Sequence, residues 1–332
     1  MAVNDDLADD ALLRSVRYMR ATNATWQTLL PILRRAERDL IAKIEDGAPR
    51  TLASQRAERL LRSVREIIEN GSVAFYKELE QTGKRLAEVE EAAALQSLQA
   101  RVPVDVEWVR PSARLLEAVA VSKPFEGALL KDHLAKWSAD TIFAMRAEIR
   151  TAIVVGEGIE PMQRRLRRVA DIKIREARTI ARTYTSHVTN EARAILYAEN
   201  SDVILKEQWV ATLDHRTCPI CGALDGKTYE LGKGPRAPIH HNCRCVRIPI
   251  TRAAKALREK GLIGPRAAKD AESKGMTGKV PSDMTFPQWL KRQPESVQKE
   301  VLGASRYEMF KDGANFDKFV NDENEIIPLR DL

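Results

Sequence analysis

Cysteine, histidine and aromatic residues are all scarce in this 332-residue chain, which holds 4 Cys, 5 His and only 5% Phe, Trp and Tyr. So few thiols exclude a disulfide-built secreted scaffold, and a chain of this length can bury a core without covalent staples. With 16 Gly and 15 Pro against 44% hydrophobic residues, the composition is neither collagen-like nor that of a wholly disordered chain. Runs of about 20 apolar residues are missing, which argues against a transmembrane helix. The first 20 residues, MAVNDDLADDALLRSVRYMR, lack the basic start, apolar stretch and cleavage site of a secretory signal. Synthesis in the cytoplasm, with reduced thiols, is the expectation. One sign of charge is barely in excess: 54 Lys+Arg against 47 Asp+Glu leave +7, a weak attraction to polyanions that does not by itself identify a nucleic-acid binder.

What is abundant is helical periodicity. Trp26, Leu29, Leu30, Leu33, Ala36, Leu40, Ile41 and Ile44 recur at helical spacing, and Asp46-Gly47-Ala48-Pro49 is expected to break that helix. A second helical pattern, through Leu60, Leu61, Val64, Ile67 and Ile68, is expected to end near Asn70-Gly71, followed by a third from Val73 to Leu79 and a fourth from about Lys84 to Ala100. Long helices in a hairpin-like arrangement are thus expected in the first hundred residues. Val102-Pro103-Val104-Asp105-Val106-Glu107-Trp108 alternates as a short strand or extended linker does. Helical spacing resumes from Leu129 to Val155, pauses at Gly156-Glu157-Gly158 and continues to about Asn200. Beyond it, Gln208 to Thr212 is β-prone, Asp225-Gly226 signals a turn, and Val246, Ile248 and Ile250 alternate as a strand. Arg252 to Pro281 reads as a helix and then a basic linker, and Phe286 to Leu332 as short helices. The fold class is therefore mainly α with a small β-containing Cys/His module, α+β overall. The organisation has three parts: a long-helix arm and linker over 1–125, a core over 126–250 with the Cys/His module at 205–250, and a linker with a short helical tail over 251–332.

All four cysteines fall at 218, 221, 243 and 245, far closer together than independent scatter would put them, so a joint role is indicated. With His240 they form Cys218-x2-Cys221-x18-His240-x2-Cys243-x-Cys245. Two close pairs of soft donors separated by a loop are how a tetrahedral zinc site is assembled from chain. Cys218, Cys221 and Cys243 are three of its ligands in this reading, with either His240 or Cys245 as the fourth and His241 a weaker candidate. A closed four-ligand shell leaves no position for water, which makes such a zinc structural. The alternative is a cluster of free or disulfide-paired thiols. A zinc deaminase needs His-x-Glu ahead of Pro-Cys-x-x-Cys, and no His-x-Glu occurs. His240-His241-Asn242 lacks the downstream histidine of an HNH nuclease. Asp214-His215-Arg216 reads as a local cap or ion pair, and no catalytic residue is assigned.

These residues carry a resemblance. Trp209-Val-Ala-Thr-Leu-Asp214-His-Arg216-Thr217-Cys218-Pro-Ile-Cys221-Gly-Ala-Leu-Asp225-Gly226, with Pro238-Ile-His240-His-Asn-Cys243-Arg244-Cys245, is similar to the signature of the phage Mu F-like, SPP1 gene-7-like minor head proteins. Gly158 after Ile153-Val154-Val155, and Ala177-Arg178-Thr179-Ile180-Ala181-Arg182-Thr183 followed by Asn190, resemble that domain's helical lead-in. Tyr184 departs from it, standing where a glutamate is expected after Arg-Thr. The resemblance covers about 140–250 and extends loosely to the C-terminal stretch through Phe286, Trp289 and Gly313. It implies a minor capsid component of a tailed phage or prophage, present in few copies in the head interior or at the portal vertex, acting in head morphogenesis, DNA packaging or DNA ejection. Implied partners are the portal protein, the major capsid or scaffold protein, and packaged double-stranded DNA. Some relatives append a toxin or an ADP-ribosyltransferase domain, and Glu323-Asn324-Glu325 is a formal E-x-E that reads as chance in an acidic tail.

The densest positive run, Arg164, Arg165, Arg167 and Arg168, is a candidate DNA contact through sequence-independent phosphate binding. Its bland alternative is a solvated helix face paired with Glu160, Asp171 and Glu176. A second function class, a zinc-containing nucleic-acid-processing enzyme, stands beside the structural one and differs from it in predicting metal-dependent DNA cleavage.

Overall fold

Helical periodicity becomes five long or medium helices, and the β-prone segments become a small three-stranded sheet, followed in the chain by a two-stranded one. The structure is a computed structural model, and it describes residues 3–45, 55–102, 106–251, 265–268, 278–281 and 283–332. In chain order the elements are α1 (Val3–Glu45), α2 (Gln55–Arg101), α3 (Ala113–Ser122), α4 (Leu130–Val154), α5 (Ile159–Glu199), β1 (Ile204–Val210), α6 (Pro219–Leu224), β2 (Thr228–Glu230), β3 (Val246–Thr251), β4 (Pro265–Ala268), β5 (Gly278–Pro281), α7 (Phe286–Lys291) and α8 (Glu295–Lys311), with two short 3-10 turns after them. No helix among the described residues is long and apolar enough to cross a membrane. The expected break at 46–49 and most of Arg252 to Pro281 lie outside the described residues; the described parts of the latter are neither helix nor linker but β4 and β5, paired antiparallel with Pro265 opposite Pro281. Residues 106–112 form neither helix nor strand, matching the linker reading of that stretch.

The chain forms two units. One comprises residues 20–86 and 117–185. Its core draws Leu40 and Ile44 from α1, Val64 and Ile68 from α2, Ile142, Met145 and Ile149 from α4, and Met162 and Leu166 from α5, so each helix buries one apolar stripe against the other three. Trp26, Phe75 and Trp137 continue this core as an aromatic column, with ring centroids 6.2 and 6.5 Å apart.

The expected helix ends within 70–84 are not there: α2 runs unbroken through Gly71 and Gly83. Both glycines answer to packing instead. A Cβ on Gly71 would stand 3.3 Å from the Ala36 Cβ, and one on Gly83 would stand 2.1 Å from the Tyr184 hydroxyl oxygen. Each lets a neighbouring helix approach more closely than any side chain would permit, which outweighs the roughly 1 kcal/mol that a mid-helix glycine costs. Tyr184 is buried, and its hydroxyl donates to the Ala120 carbonyl at 2.9 Å. Where a glutamate is expected, this chain thus places a neutral phenol that burial keeps protonated.

The other unit comprises residues 1–19, 87–116 and 186–332. Its sheet has the order β2-β1-β3, antiparallel throughout, with Gln208 opposite Thr228 and Val210 opposite Val246. The start of α1 covers this sheet, as Ala8, Ala11 and Leu12 pack on Val210, Val246 and Ile248. On another side, Met284, Phe286, Trp289, Phe310, Phe316 and Phe319 of the C-terminal stretch form a core with Leu213 and Ala223. Gly222 belongs to that contact, since a Cβ there would meet the Phe286 ring at 2.5 Å.

Candidate metal centre

The register of β1 against β3 explains why residues 19 and more apart meet. Val210, the last residue of β1, pairs with Val246, the first of β3, so the chain leaving β1 runs beside the chain entering β3. The first carries Cys218 and Cys221 and the second carries His240, Cys243 and Cys245. Cys218 caps the N-terminus of the short helix α6, its sulfur accepting the Cys221 backbone N–H at 3.4 Å, and Pro219 occupies the first helical position. Its fixed φ and absent N–H suit that position, and the resulting turn aims both thiols the same way. A turn closed by Cys243 N–H donating to the His240 carbonyl at 3.1 Å does the same for the second pair. Asn242 takes the left-handed conformation this turn requires, at φ 59°, which Asn tolerates better than most residues.

Five donor atoms converge. His240 Nε2 lies 3.3 Å from Cys218 Sγ and 3.2 Å from Cys221 Sγ, and Cys221 Sγ lies 3.8 Å from Cys243 Sγ. Cys218, Cys221 and His240 form one group able to hold an ion and Cys221, Cys243 and Cys245 another, with Cys221 common to both. All four cysteines are free thiols in the structure. Sulfur ligands on a tetrahedron with bonds of about 2.3 Å stand roughly 3.8 Å apart, the separation found for Cys221 and Cys243.

Electrostatics point the same way. A hydrogen bond with Cys221 and the nearby His240 hold the Cys218 thiol down at about 5, and contacts with Cys221 and Cys245 hold Cys243 low as well. Burial would lower His240, but hydrogen bonds to Cys218 and Cys243 outweigh it and raise the imidazole to about 11. Cys221 and Cys245 are pushed up instead, by hydrogen bonding to Cys218 and by burial respectively, so two thiolates, Cys218 and Cys243, face the positive imidazole, a charge pattern that a soft divalent cation would complete. The second ring nitrogen is fixed too: His240 Nδ1–H donates to the His241 carbonyl at 2.9 Å, which turns Nε2 toward the sulfurs, where a bound cation would take the place of its proton. His241 itself is exposed and outside both donor groups.

Residues 144–248, a span enclosing both donor pairs, match the family described as Phage Mu protein F like protein. This segment is similar to the phage Mu F-like family. It makes up about a third of the chain. The chain is also similar to the NAD(+)--arginine ADP-ribosyltransferase EFV of Enterococcus faecalis, at 26% identity over 173 residues, covering 47% of this chain and 34% of that relative. The chain thus spans about a third of that relative's length. No solved structure matches.

The other residues of the Mu F-like signature brace the centre. Asp214 receives both terminal nitrogens of Arg244, one at 2.6 Å, and also accepts the Arg216 backbone N–H at 3.0 Å. This is the local turn and ion pair expected of Asp214, and it bridges the loop after β1 to the Cys243-Arg244-Cys245 strand entry. Asp225 accepts the Ala211 N–H at 2.7 Å through one oxygen and the Phe286 N–H at 2.6 Å through the other. Gly226 completes that turn in the left-handed region, at φ 85°.

A further layer was not visible in the sequence. Asn190 donates to the Cys245 carbonyl at 3.3 Å and accepts from Arg193 at 2.8 Å. Arg193 pairs with the fully buried Glu90, which Arg14 also reaches at 3.3 Å. Charged residues on amphipathic helices read as solvated, so only the buried pairing of Glu90 with Arg193 reveals them. On the other face of the sheet, Arg247 pairs with the buried Glu207 at 3.3 Å and stacks over the Tyr229 ring at 4.9 Å.

The basic run belongs to α5, in the helical unit. Arg165 is committed to three hydrogen bonds with Glu157 and Glu148, at 2.8, 2.8 and 2.9 Å. Arg164 stands 3.8 Å from Glu160, whereas Asp171 pairs with Arg34 and Glu176 with Lys173. Arg167 and Arg168 are exposed. At the C-terminal end, Glu323 and Glu325 both accept from the Asn321 amide in an exposed turn, at 3.0 and 3.3 Å.

Proposed function

We propose that this chain is a minor head protein of a tailed phage or prophage, acting in head morphogenesis at the portal vertex, and that its Cys/His centre holds a structural zinc ion. The Mu F-like match over 144–248 carries the first part. Cys218, Cys221 and His240 would hold the metal, because His240 contacts both of those sulfurs, and Cys243, 3.8 Å from Cys221, would complete the shell, with Cys245 as the alternative fourth ligand. A metal held this way ties the exit of β1 to the entry of β3 and contributes folding energy. The donors face one another, so no ligand position opens toward a substrate, which favours the structural reading over a nuclease. Packaged DNA is the proposed partner of the exposed Arg167 and Arg168, with Arg165 serving the helix packing instead.

Quantitative mass spectrometry of purified particles, referenced to the portal protein, tests the proposal. The expected result is a few copies per particle; absence from particles, or a copy number like that of the main shell protein, would overturn it.

The similarity to the Enterococcus transferase favours a second reading, an NAD-dependent transfer to arginine. The E-x-E glutamates of this chain are hydrogen-bonded to Asn321 at the surface, and incubation with labelled NAD and an arginine-containing acceptor distinguishes the readings. Label transfer would support the transferase, and its absence alongside low-copy presence in particles supports the head protein.

A further inference from the structure

A groove of about 910 Å³ runs between α2 and α4, within the helical unit and independent of the metal centre. Its lining includes Ile142 and two apolar side chains left open to solvent, Phe143 at 75% and Val73 at 53% exposure. A bare phenylalanine at that exposure has no role in the unit's own core. Along α4 the groove is floored by Ala135, Ala139 and Ala147, residues small enough to let another backbone come close. Four cations edge it, Arg65, Lys131, Arg146 and Arg150, against one acid, Glu69. Among the described residues these four make no ion pair, and Arg146 Nε is buried without a hydrogen-bond partner.

We propose that this groove docks an amphipathic helix of another protein, apolar on its seated face and flanked by Asp or Glu. The 20 residues from Lys131 to Arg150 give a track of about 28 Å at the helical rise, the length of a helix of about 20 residues. Helix-in-groove recognition uses apolar anchors at i, i+3, i+4 and i+7, and the exposed Phe143 and Val73 supply the complementary surface. The excess of unpaired cations fixes the sign of the flanking charges, since leaving them opposite like charges would cost binding and opposing carboxylates would gain it. A second copy of this chain presents the same cations and is disfavoured as the occupant. Duplex DNA would use the cations but leave Phe143 and Val73 in water.

The test titrates the full chain into a fluorescein-labelled 20-residue peptide with a Leu/Ala stripe flanked by Glu, reading anisotropy. Saturable binding is expected, weakened about tenfold or more by Arg146→Glu/Arg150→Glu and separately by Phe143→Glu, with a Lys-flanked peptide preferring the charge-reversed protein. Phe143 and Arg150 are exposed, and an unchanged thermal melt confirms that the variants fold. No binding to the wild-type chain, or equal binding to all variants, would overturn the proposal. So would a DNA duplex that displaces the peptide and shows the same sensitivity to the arginine reversals but none to Phe143→Glu.

Discussion

Asp214 is buried, and that burial alone would push its carboxyl up; the Arg244 hydrogen bonds outweigh it and hold the group below the usual carboxylate range. A depressed folded-state value stabilises the fold above the unfolded value of about 4 and is lost as pH falls through the folded one. Asp214→Asn leaves Arg244 without its counter-charge, so at pH 7 urea unfolding should show a loss of about 3 kcal/mol. That deficit should shrink below about pH 4, as the wild type loses what the variant never had; a deficit constant with pH would count against the ion pair. The fourth metal ligand is decided at this scale too. His240→Ala should abolish metal retention and Cys245→Ser should keep it, as measured by metal content after gel filtration, because His240 Nε2 contacts the sulfurs of both Cys218 and Cys221 while Cys245 lies outside that group. The opposite pattern would make Cys245 the ligand. The donor set was readable from the sequence because ligand pairs are local, two or three residues apart on a turn. Glu90, Arg193 and the buried end of Asn190 were not, since their partners lie on other helices and a charged residue on a helix carries no sign of its burial.

At the scale of elements, α2 separates what a sequence shows from what it hides. Apolar spacing located the helix, but Asn70-Gly71 read as a terminator and the pattern beyond it as separate helices, and the reason for Gly83 inside α2 lies about a hundred residues away in Tyr184. Replacing a mid-helix glycine by alanine ordinarily gains about 1 kcal/mol. Gly83→Ala should instead cost about 1–3 kcal/mol, because the new methyl meets the hydroxyl and ring of Tyr184. Combining it with Tyr184→Leu should give a double variant more stable than the sum of the two single losses predicts. Strict additivity in denaturant melts would remove the contact from the account. The strands, by contrast, were legible from the Asp225-Gly226 turn and the alternation from Val246 to Ile250. Their order β2-β1-β3 was not, because antiparallel neighbours far apart in sequence are chosen by the faces they bury.

For the molecule as a whole, the slight positive balance of +7 has a location. On α5 the carboxylates of Glu157 and Glu148 consume Arg165, so the outward charge there resides in Arg167 and Arg168 and, less completely, in Arg164. Arg167→Gln/Arg168→Gln should reduce the slope of log affinity for duplex DNA against log salt by about 2 without changing the melt, while Arg165→Gln should lower stability. An unchanged slope would assign the run to a solvated face. The scarcity of cysteine turns out to be the most informative part of the composition: all four thiols and one of the five histidines are spent on a single closed cluster in the segment similar to the Mu F-like family. Native mass spectrometry of the full chain, purified without added metal, tests that cluster most directly. One zinc ion per chain, lost in Cys221→Ser together with the compact charge-state distribution, is the predicted result; a folded, metal-free chain would contradict it.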